Sequence, residues 1–452
     1  MAFSVVVLAA GKGTRMKSAL PKVLHPVGGV AMVQRIINTA ESLTATAVHL
    51  VYGHGGDQLQ ANVSGQQINW CLQAEQLGTG HAVMQTVEHI SDEEDVMILV
   101  GDAPLIKADT LQRLIDVKAS CDLALLTVNL DDPTGMGRII RNDDNIVAIV
   151  EHKDATEAQR AITEINTGMM MMPGKDLKRW LSKLNNDNAQ GEYYLTDVIA
   201  MAANEGKVIK AAQPDSPLEV EGVNNRIQLA RLERTLQQWQ AEALMTNGAT
   251  LADPLRVDVR GELTTGQDVF IDINTVFKGK VTLGNNVVIG PNCVLIDCEV
   301  ADNAVIEANS IVEEASVGES CAVGPYGRLR PGAVMERGAK VGNFVEMKKA
   351  RLGEGAKANH LTYLGDADIG AGSNIGAGTI TCNYDGVNKS KTLIGENAFI
   401  GSNSALVAPV EIGAGATVAA GSIITSTVPD NALAVARSKQ RNIADWQRPK
   451  KK

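Results

Sequence analysis

Two groups of residues in this 452-residue chain have types and spacing that could do chemistry. The first is Leu8–Lys22, LAAGKGTRMKSALPK, directly behind the apolar run Ser4–Leu8. Glycine lets backbone amides approach an anion closely, because no Cβ stands in the way, and successive amides at such a turn favour negative charge. Gly11 and Gly13 supply the bend, and Arg15 and Lys22, the latter stiffened by Pro21, supply two fixed cations. Strand, glycine turn and paired cations together describe a polyphosphate site. The Walker loop is excluded, because Gly11-Lys12-Gly13 cannot provide its Gly-Lys-Ser/Thr. The dinucleotide fingerprint is excluded because Met16 stands where its third glycine belongs. The second group surrounds His360, the sole histidine beyond residue 152: Arg330, Lys348, Tyr363, Asn374 and the pair Asn383-Tyr384. A neutral imidazole near pH 7 suits general-base work, and two cations suit a phosphate.

The elements that must carry these groups differ in kind. Residues 1–226 alternate apolar runs (Val5–Ala9, Val48–Tyr52, Val96–Val100, Leu123–Val128) with amphipathic stretches such as Thr110–Lys118. That alternation predicts a mostly parallel sheet with helices on both faces, whose ligands bind beyond the carboxyl ends of the strands. Ile227–Asn247 places Leu229, Leu232, Leu236, Trp239 and Ala243 at spacings of three and four. This is one stripe of a connecting helix, ending at a cap at Asn247-Gly248. We therefore expect domains at 1–226 and 249–452, joined by a helix over 227–248.

Beyond it, aliphatics recur every six residues: Leu283, Ile289, Leu295; Val317, Val323, Leu329, Met335, Val341, Met347; Ile394, Ile400, Leu406, Ile412, Val418, Ile424. One hexapeptide supplies a short strand and a turn, and three make a triangular coil. Arg330 and Lys348, eighteen residues apart, then stack on one prism edge. The gap from Ile375 to Ile394 is nineteen, one more than three repeats, which predicts a loop leaving the wall near Thr381–Lys391.

Composition narrows the options. The net charge of -10 argues against general nucleic-acid binding, and no run of ~18 apolar residues exists to span a bilayer. Six cysteines without a CxxC pair and a start without a cationic n-region predict reduced thiols in a cytoplasmic protein. The basic tail Arg448–Lys452 reads as a solvated end.

The L-x-x-G-x-G-T-R-M…P-K string resembles the signature of the sugar-nucleotidyltransferase family, which joins a sugar 1-phosphate to a nucleoside triphosphate. Such a transfer needs charge neutralisation and alignment rather than a covalent nucleophile, and magnesium is expected. Asp102, in Ile98-Leu-Val-Gly101-Asp102 at a strand end, and Asn224, in Glu219-Val-Glu-Gly-Val-Asn224, are its candidate ligands. The six-residue period resembles the left-handed parallel β-helix of the hexapeptide-repeat proteins.

Gln73-Ala-Glu-Gln-Leu-Gly78-Thr79-Gly-His81, Gly137-Arg-Ile, Val150-Glu151-His-Lys, Glu164-Ile-Asn166-Thr-Gly168 and Gly191-Glu-Tyr-Tyr extend the match over nearly the whole chain. Together they resemble the bacterial family of bifunctional N-acetylglucosamine-1-phosphate uridyltransferases and glucosamine-1-phosphate acetyltransferases. The resemblance implies that Leu8, Gly11, Gln73, Gly78 and Thr79 recognise the uridine of UTP, and Arg15 and Lys22 the phosphates. It assigns Gly101, Gly137, Glu151 and Asn166 to the nucleotide sugar, and Asp102 and Asn224 to Mg2+. In the repeat domain it implies His360 as base, with Arg330, Lys348, Tyr363 and Asn374 on glucosamine 1-phosphate. Ala377, Asn383, Tyr384, Ser402, Ala420 and Arg437 fall to acetyl-CoA, with Ala377 N–H as oxyanion donor. Such sites lie between prisms, so a homotrimer is implied. Val100 departs from the family, where many relatives carry a tyrosine. Cys382 has no paired base and reads as a small apolar residue. Two rival readings keep the β-helix as a trimerising scaffold for a monofunctional nucleotidyltransferase, or make the chain a non-catalytic carrier of nucleotide sugars.

Overall fold

The computed structural model describes residues 2–53, 55–143, 145–188 and 190–451. His54 and the last residue of the basic tail, Lys452, lie outside that set. The chain divides between Leu236 and Gln237 into two compact units.

In the first unit the opening strand, Phe3–Leu8, carries Val5, Val6 and Val7, all fully buried. Val5 and Val7 face one apolar cluster and Val6 the other, as the two-residue period of a strand requires. The sheet runs in the order Ile209–Ala212, Leu123–Asn129, Glu164–Pro173, Asp95–Val100, Phe3–Leu8, Val48–Tyr52, Ile68–Leu72. Neighbours on this path are parallel except around Glu164–Pro173, which is antiparallel to both strands beside it. A hairpin, Arg138–Asn142 with Asn145–Val150, attaches to that strand through Arg138 and Ile165. Val33, Ile36, Ile37 and Ala40 of helix Met32–Ser42 cover one face. Leu177, Trp180 and Leu181 of Gly174–Leu181 cover the other. From Phe3–Leu8 the chain moves to Val48–Tyr52 on one side, then crosses to Asp95–Val100 on the other. That reversal opens a crevice at the carboxyl ends, where Leu8 pairs with Val100.

The long helix spans Arg226–Thr246. Leu232 and Leu236 are buried in the first unit. Ala243, expected on the same stripe, is exposed; Ala241 and Leu244 are buried instead, within the core of the second unit. The buried face of the helix therefore changes where it passes from one core to the next. Gly248, at φ +102°, ends it as a left-handed cap.

The second unit is a parallel β-helix built from the six-residue period. Val317 pairs with Met335, Val323 with Val341 and Leu329 with Met347, so eighteen residues close a coil. Ile394, Ile400 and Leu406 pair in the same way with Ile412, Val418 and Ile424. Other coils close in seventeen, as Met347 on Leu364. All these aliphatics are buried in one continuous core. Asn286, Asn292, Asn303 and Asn309 turn the corners at positive φ, a conformation asparagine tolerates. Asn274 and Asn292 are also hydrogen-bonded between coils at 2.9 Å. Ile369 pairs with Ile394 and Ile375 with Ile400, so this coil holds twenty-five residues. The nineteen-residue gap is thus two hexads plus seven residues rather than three plus one. The excess leaves the wall between Ile380–Cys382 and Thr392–Ile394, within the stretch where a loop is expected. Among the described residues no helix is long and apolar enough to cross a membrane. The six cysteines are free, and burial pushes the Cys293 and Cys298 thiols up to about 11 and about 12.

Candidate functional site

In the first unit the glycine bend closes on a lysine. Gly13 has φ +59°, and a Cβ there would strike Lys22 Cβ. A single tight turn, Thr14–Met16, then carries Arg15. Arg15 Nη2 donates to Asn224 Oδ1 at 2.8 Å, and Lys22 Nζ donates to the same oxygen at 3.3 Å. Lys22 Nζ also forms an ion pair with Asp102 Oδ2. Val223 N–H donates to the Asp102 carbonyl at 2.8 Å, which ties the segment bearing Asn224 to the turn bearing Asp102. Arg15, Lys22, Asp102 and Asn224 thus meet at one point.

Asp102 Oδ2 and Asn224 Oδ1 share one cation in this arrangement, the Lys22 ammonium. Two hard oxygens fit a small divalent ion that fills its remaining positions from phosphate and water. Among the described residues, no group of three or more His, Cys, Asp or Glu offers a fuller cage.

Two cavities share Asp102 and Val100. One, of about 300 Å³, is lined by Leu8, Gly11, Lys22, Gln73, Gly78 and Thr79, with Gln76 and Glu192. Gln73 is buried, and its Nε2 donates to the Gly78 carbonyl and to His81 Nδ1, each at 3.1 Å. Gly78 has φ +112°, and a Cβ there would collide with the Tyr193 backbone. The Gly191–Tyr194 string therefore walls this cavity. Gly101 N–H donates to the Leu8 carbonyl at 2.9 Å, holding the two strand ends together.

The other cavity, of about 460 Å³, is lined by Asn166, Thr167, Asn224 and Arg231 among others. Asn166 follows from a bulge: the register of its strand shifts between Asn166 and Met170, a common device for aiming side chains at a site. Asn166 N–H donates to the Gly137 carbonyl at 2.9 Å. Glu151 Oε1 lies 3.3 Å from where a Gly137 Cβ would stand. Gly137 and Glu151 therefore sit beside Asn166, although neither lines the cavity. Burial raises the Glu151 carboxyl above its ordinary value, opposed by the Thr196 hydroxyl, which donates to it at 3.4 Å. Glu192 belongs to the Gly191-Glu-Tyr-Tyr string, whereas no spacing in the sequence announces Arg231 or Thr196.

In the second unit the coil register sorts the other residues. Arg330 and Lys348 stand on adjacent coils of one wall, where Arg330 N–H donates to the Met347 carbonyl. Glu346 ladders with Tyr363, and Lys348 with Gly365, whose bare Cα leaves room for the Tyr363 ring. The sequence missed one partner: Glu346 Oε1 accepts from Arg330 Nη1 at 2.7 Å, so the expected pair of cations includes a carboxylate. Asn374 lies on the other sheet, laddered with Lys357 and Phe399, apart from that wall.

His360 shares that sheet with Asn374. Because Ala358, Ile375, Ile400 and Val418 ladder in succession, His360, Ala377, Ser402 and Ala420, each two residues further on, occupy one edge in four consecutive coils. His360 is exposed, with Nδ1 2.7 Å from Asn343 Oδ1. Arg437 Nη1 donates to the Ala420 carbonyl at 2.7 Å. Ala377 N–H has no acceptor among the described residues. Asn383 Nδ2 donates to Asp366 Oδ2 at 2.5 Å and Tyr384 opens the extra loop, bridging to Lys389. Cys382 is half-buried, and among the described residues its Sγ makes a single long contact, to the Ile380 carbonyl at 3.9 Å.

Residues 5–161 match the MobA-like NTP transferase domain, 259–350 the GMPPB C-terminal domain, and 391–426 the hexapeptide repeat of succinyl-transferase. Among solved structures, a UDP-glucose pyrophosphorylase complexed with UDP-glucose is 17% identical with a TM-score of 0.44, covering 53% of this chain and all of that one. A putative glucose-1-phosphate thymidylyltransferase from Bacillus anthracis is 18% identical with a TM-score of 0.42, covering 51% of this chain and 94% of that one. The bifunctional protein GlmU of Pseudoalteromonas atlantica is 69% identical over 451 residues, covering 100% of both chains. Identity at that level over the whole length means that the chain belongs to the bifunctional GlmU family.

Proposed function

We propose the following division of labour for this bifunctional enzyme, a nucleotidyltransferase and an acetyltransferase on one chain. The second unit acetylates glucosamine 1-phosphate from acetyl-CoA, and the first joins the N-acetylglucosamine 1-phosphate to UTP, giving UDP-N-acetylglucosamine and pyrophosphate. The product would feed cell-wall and lipopolysaccharide synthesis in the cytoplasm. The observation that carries the first half is the meeting of Arg15, Lys22, Asp102 and Asn224, with Asp102 on the wall of both cavities.

In the smaller cavity Gln73, fixed by Gly78 and His81, presents Oε1 to the uracil N3–H. Leu8, Gly11, Gly78 and Thr79 bound the nucleoside. The sugar lies toward Gly101, Gly137, Glu151 and Asn166. Asp102 and Asn224 would hold Mg2+, which would neutralise charge on the phosphates. Lys22 then exchanges its carboxylate partner for a phosphate oxygen, and Arg15 does the same with Asn224. A phosphate oxygen of the sugar attacks the α-phosphorus in line, and the bond to the β-phosphate breaks. Fixed cations that meet developing charge stabilise such a transition state without reorganising.

In the second unit His360 takes a proton from the acceptor amine as its nitrogen attacks the thioester carbon. The carbon–sulfur bond breaks, and the CoA sulfur leaves with a proton. Ala377 N–H, lacking an acceptor, serves the oxyanion. Arg330, Lys348 and Tyr363 hold the phosphate of the acceptor, and Asn374 its sugar. Asn383, Tyr384, Ser402, Ala420 and Arg437 line the path of acetyl-CoA. We propose a homotrimer through the β-helix. It is supported by the separation of Asn374 from the Arg330 wall, and by the exposed ladder of Tyr326, Phe344 and Leu361, whose first two rings stack at 5.2 Å.

Two assays on the full chain test the proposal. CoA thiol should appear with acetyl-CoA and glucosamine 1-phosphate, and pyrophosphate with UTP and N-acetylglucosamine 1-phosphate. Absence of the thiol would leave the β-helix a scaffold; absence of pyrophosphate would leave the first unit a carrier.

A further inference from the structure

We infer that Asn343 is a positioning residue for acetyl transfer: its Oδ1 accepts the Nδ1–H of His360 and so fixes the tautomer that leaves Nε2 free for the acceptor amine. The inference rests on the reading of His360 as the base.

An amide oxygen can only accept. At 2.7 Å from Asn343 Oδ1, His360 Nδ1 must therefore carry the hydrogen. A neutral imidazole has one such hydrogen, so the lone pair lies on Nε2, which has no hydrogen bond among the described residues. The β-helix enforces this contact. Asn343 and His360 are ladder partners in adjacent coils, and equivalent residues of neighbouring strands stand ~4.8 Å apart. The next residues, Phe344 and Leu361, both have left-handed φ, +57° and +50°. Both coils thus turn the corner at the same place, and the two side chains stay in step. Nothing else on that edge can replace the contact: Pro325 stands at the equivalent place one coil before Asn343, and Ala377 one coil after His360. Asn343 itself moves no proton. It keeps the ring from turning over, as the partner of a catalytic histidine does in other acyl transfers.

The test uses the full-length chain. Asn343→Ala should lower kcat for acetyl transfer about 10- to 100-fold, leave KM for glucosamine 1-phosphate and acetyl-CoA within about twofold, and leave uridyl transfer unchanged. Asn343→Asp keeps an acceptor oxygen and should recover most of the lost kcat. In a His360→Ala background, adding Asn343→Ala should cost nothing further, because the two act as one unit. A wild-type kcat in Asn343→Ala would overturn the inference, and so would an Asn343→Asp variant as impaired as Asn343→Ala. Full acetyl transfer in His360→Ala would instead overturn the base assignment beneath it.

Discussion

The two units gather chemistry in opposite ways. In the first, Arg15 and Asn224, 209 positions apart, share a hydrogen bond because a reversal of strand order leaves several loops facing one crevice. In the second, His360 meets Asn343 seventeen positions earlier, and Arg330 sits one coil from Lys348. There the site is written by repetition. A crevice built from loops can change one member without disturbing the rest, whereas an edge built from coils moves as a register. The proposed nucleotide site thus depends on a few fixed contacts between distant segments, and the proposed acetyl site on the count of residues per turn.

Four experiments can break or sharpen that contrast. His360→Ala should reduce acetyl transfer by about 10²- to 10⁴-fold while uridyl transfer stays at its normal rate. Equal loss of both activities would show that the two sites do not work independently. Lys22→Ala should do the reverse, lowering uridyl transfer by on the order of 10²- to 10³-fold and sparing CoA release. An unchanged rate of pyrophosphate formation would remove this lysine from the phosphates. Gly13→Ala adds a Cβ at positive φ directly against Lys22; strain of ~1–3 kcal/mol should cost uridyl transfer about tenfold, through displacement of that ammonium. Wild-type kinetics in this variant would mean that the bend does not set the position of Lys22. The smallest effect concerns Glu151, whose carboxyl is raised by burial. Its ionised form is the better acceptor for sugar hydroxyls, so kcat/KM for N-acetylglucosamine 1-phosphate should fall as pH drops through a value above the ordinary glutamate range. Glu151→Gln should flatten that limb. Because the folded form holds the proton more tightly than the unfolded chain, the stabilising contribution of this group is present below the ordinary value and lost as pH rises. The Gln variant should then unfold no earlier than the parent at pH 7, and earlier unfolding would refute the burial argument.

What could be read in advance followed from short-range regularity. The six-residue aliphatic period describes every coil core from Val317 to Met347, and the opening glycine bend with Arg15 and Lys22 lies where the crevice forms. Asp102 was legible because a buried strand ends beside it. Contacts that topology alone creates were not legible. Glu346 beside Arg330 carries no mark of its own among the exposed charges of the coils. Thr196 reaches Glu151 from a segment 45 positions away. The reversed strand Glu164–Pro173 carries a buried run at Met169–Met172 like those of its parallel neighbours, and a sequence cannot state strand direction. The loop after Cys382 was visible as broken spacing, but its length was not, because wall identity is lost once the period slips. Asn343 could have been found by counting back one coil from His360, had the coils of seventeen been recognised beside those of eighteen.

One feature of the first unit reaches beyond geometry. Lys22 and Asp102 are both largely shielded from water, with 12% and 24% of their side chains accessible, and each cancels the charge of the other. A polyanion arriving alone would strip the ammonium from its partner and strand a shielded carboxylate; a metal ion arriving alone would strand the ammonium. Each intruder therefore meets a penalty that the other removes. The pair behaves as a latch with two keys, favouring a cation and a polyanion that enter as one neutralised unit over either arriving alone.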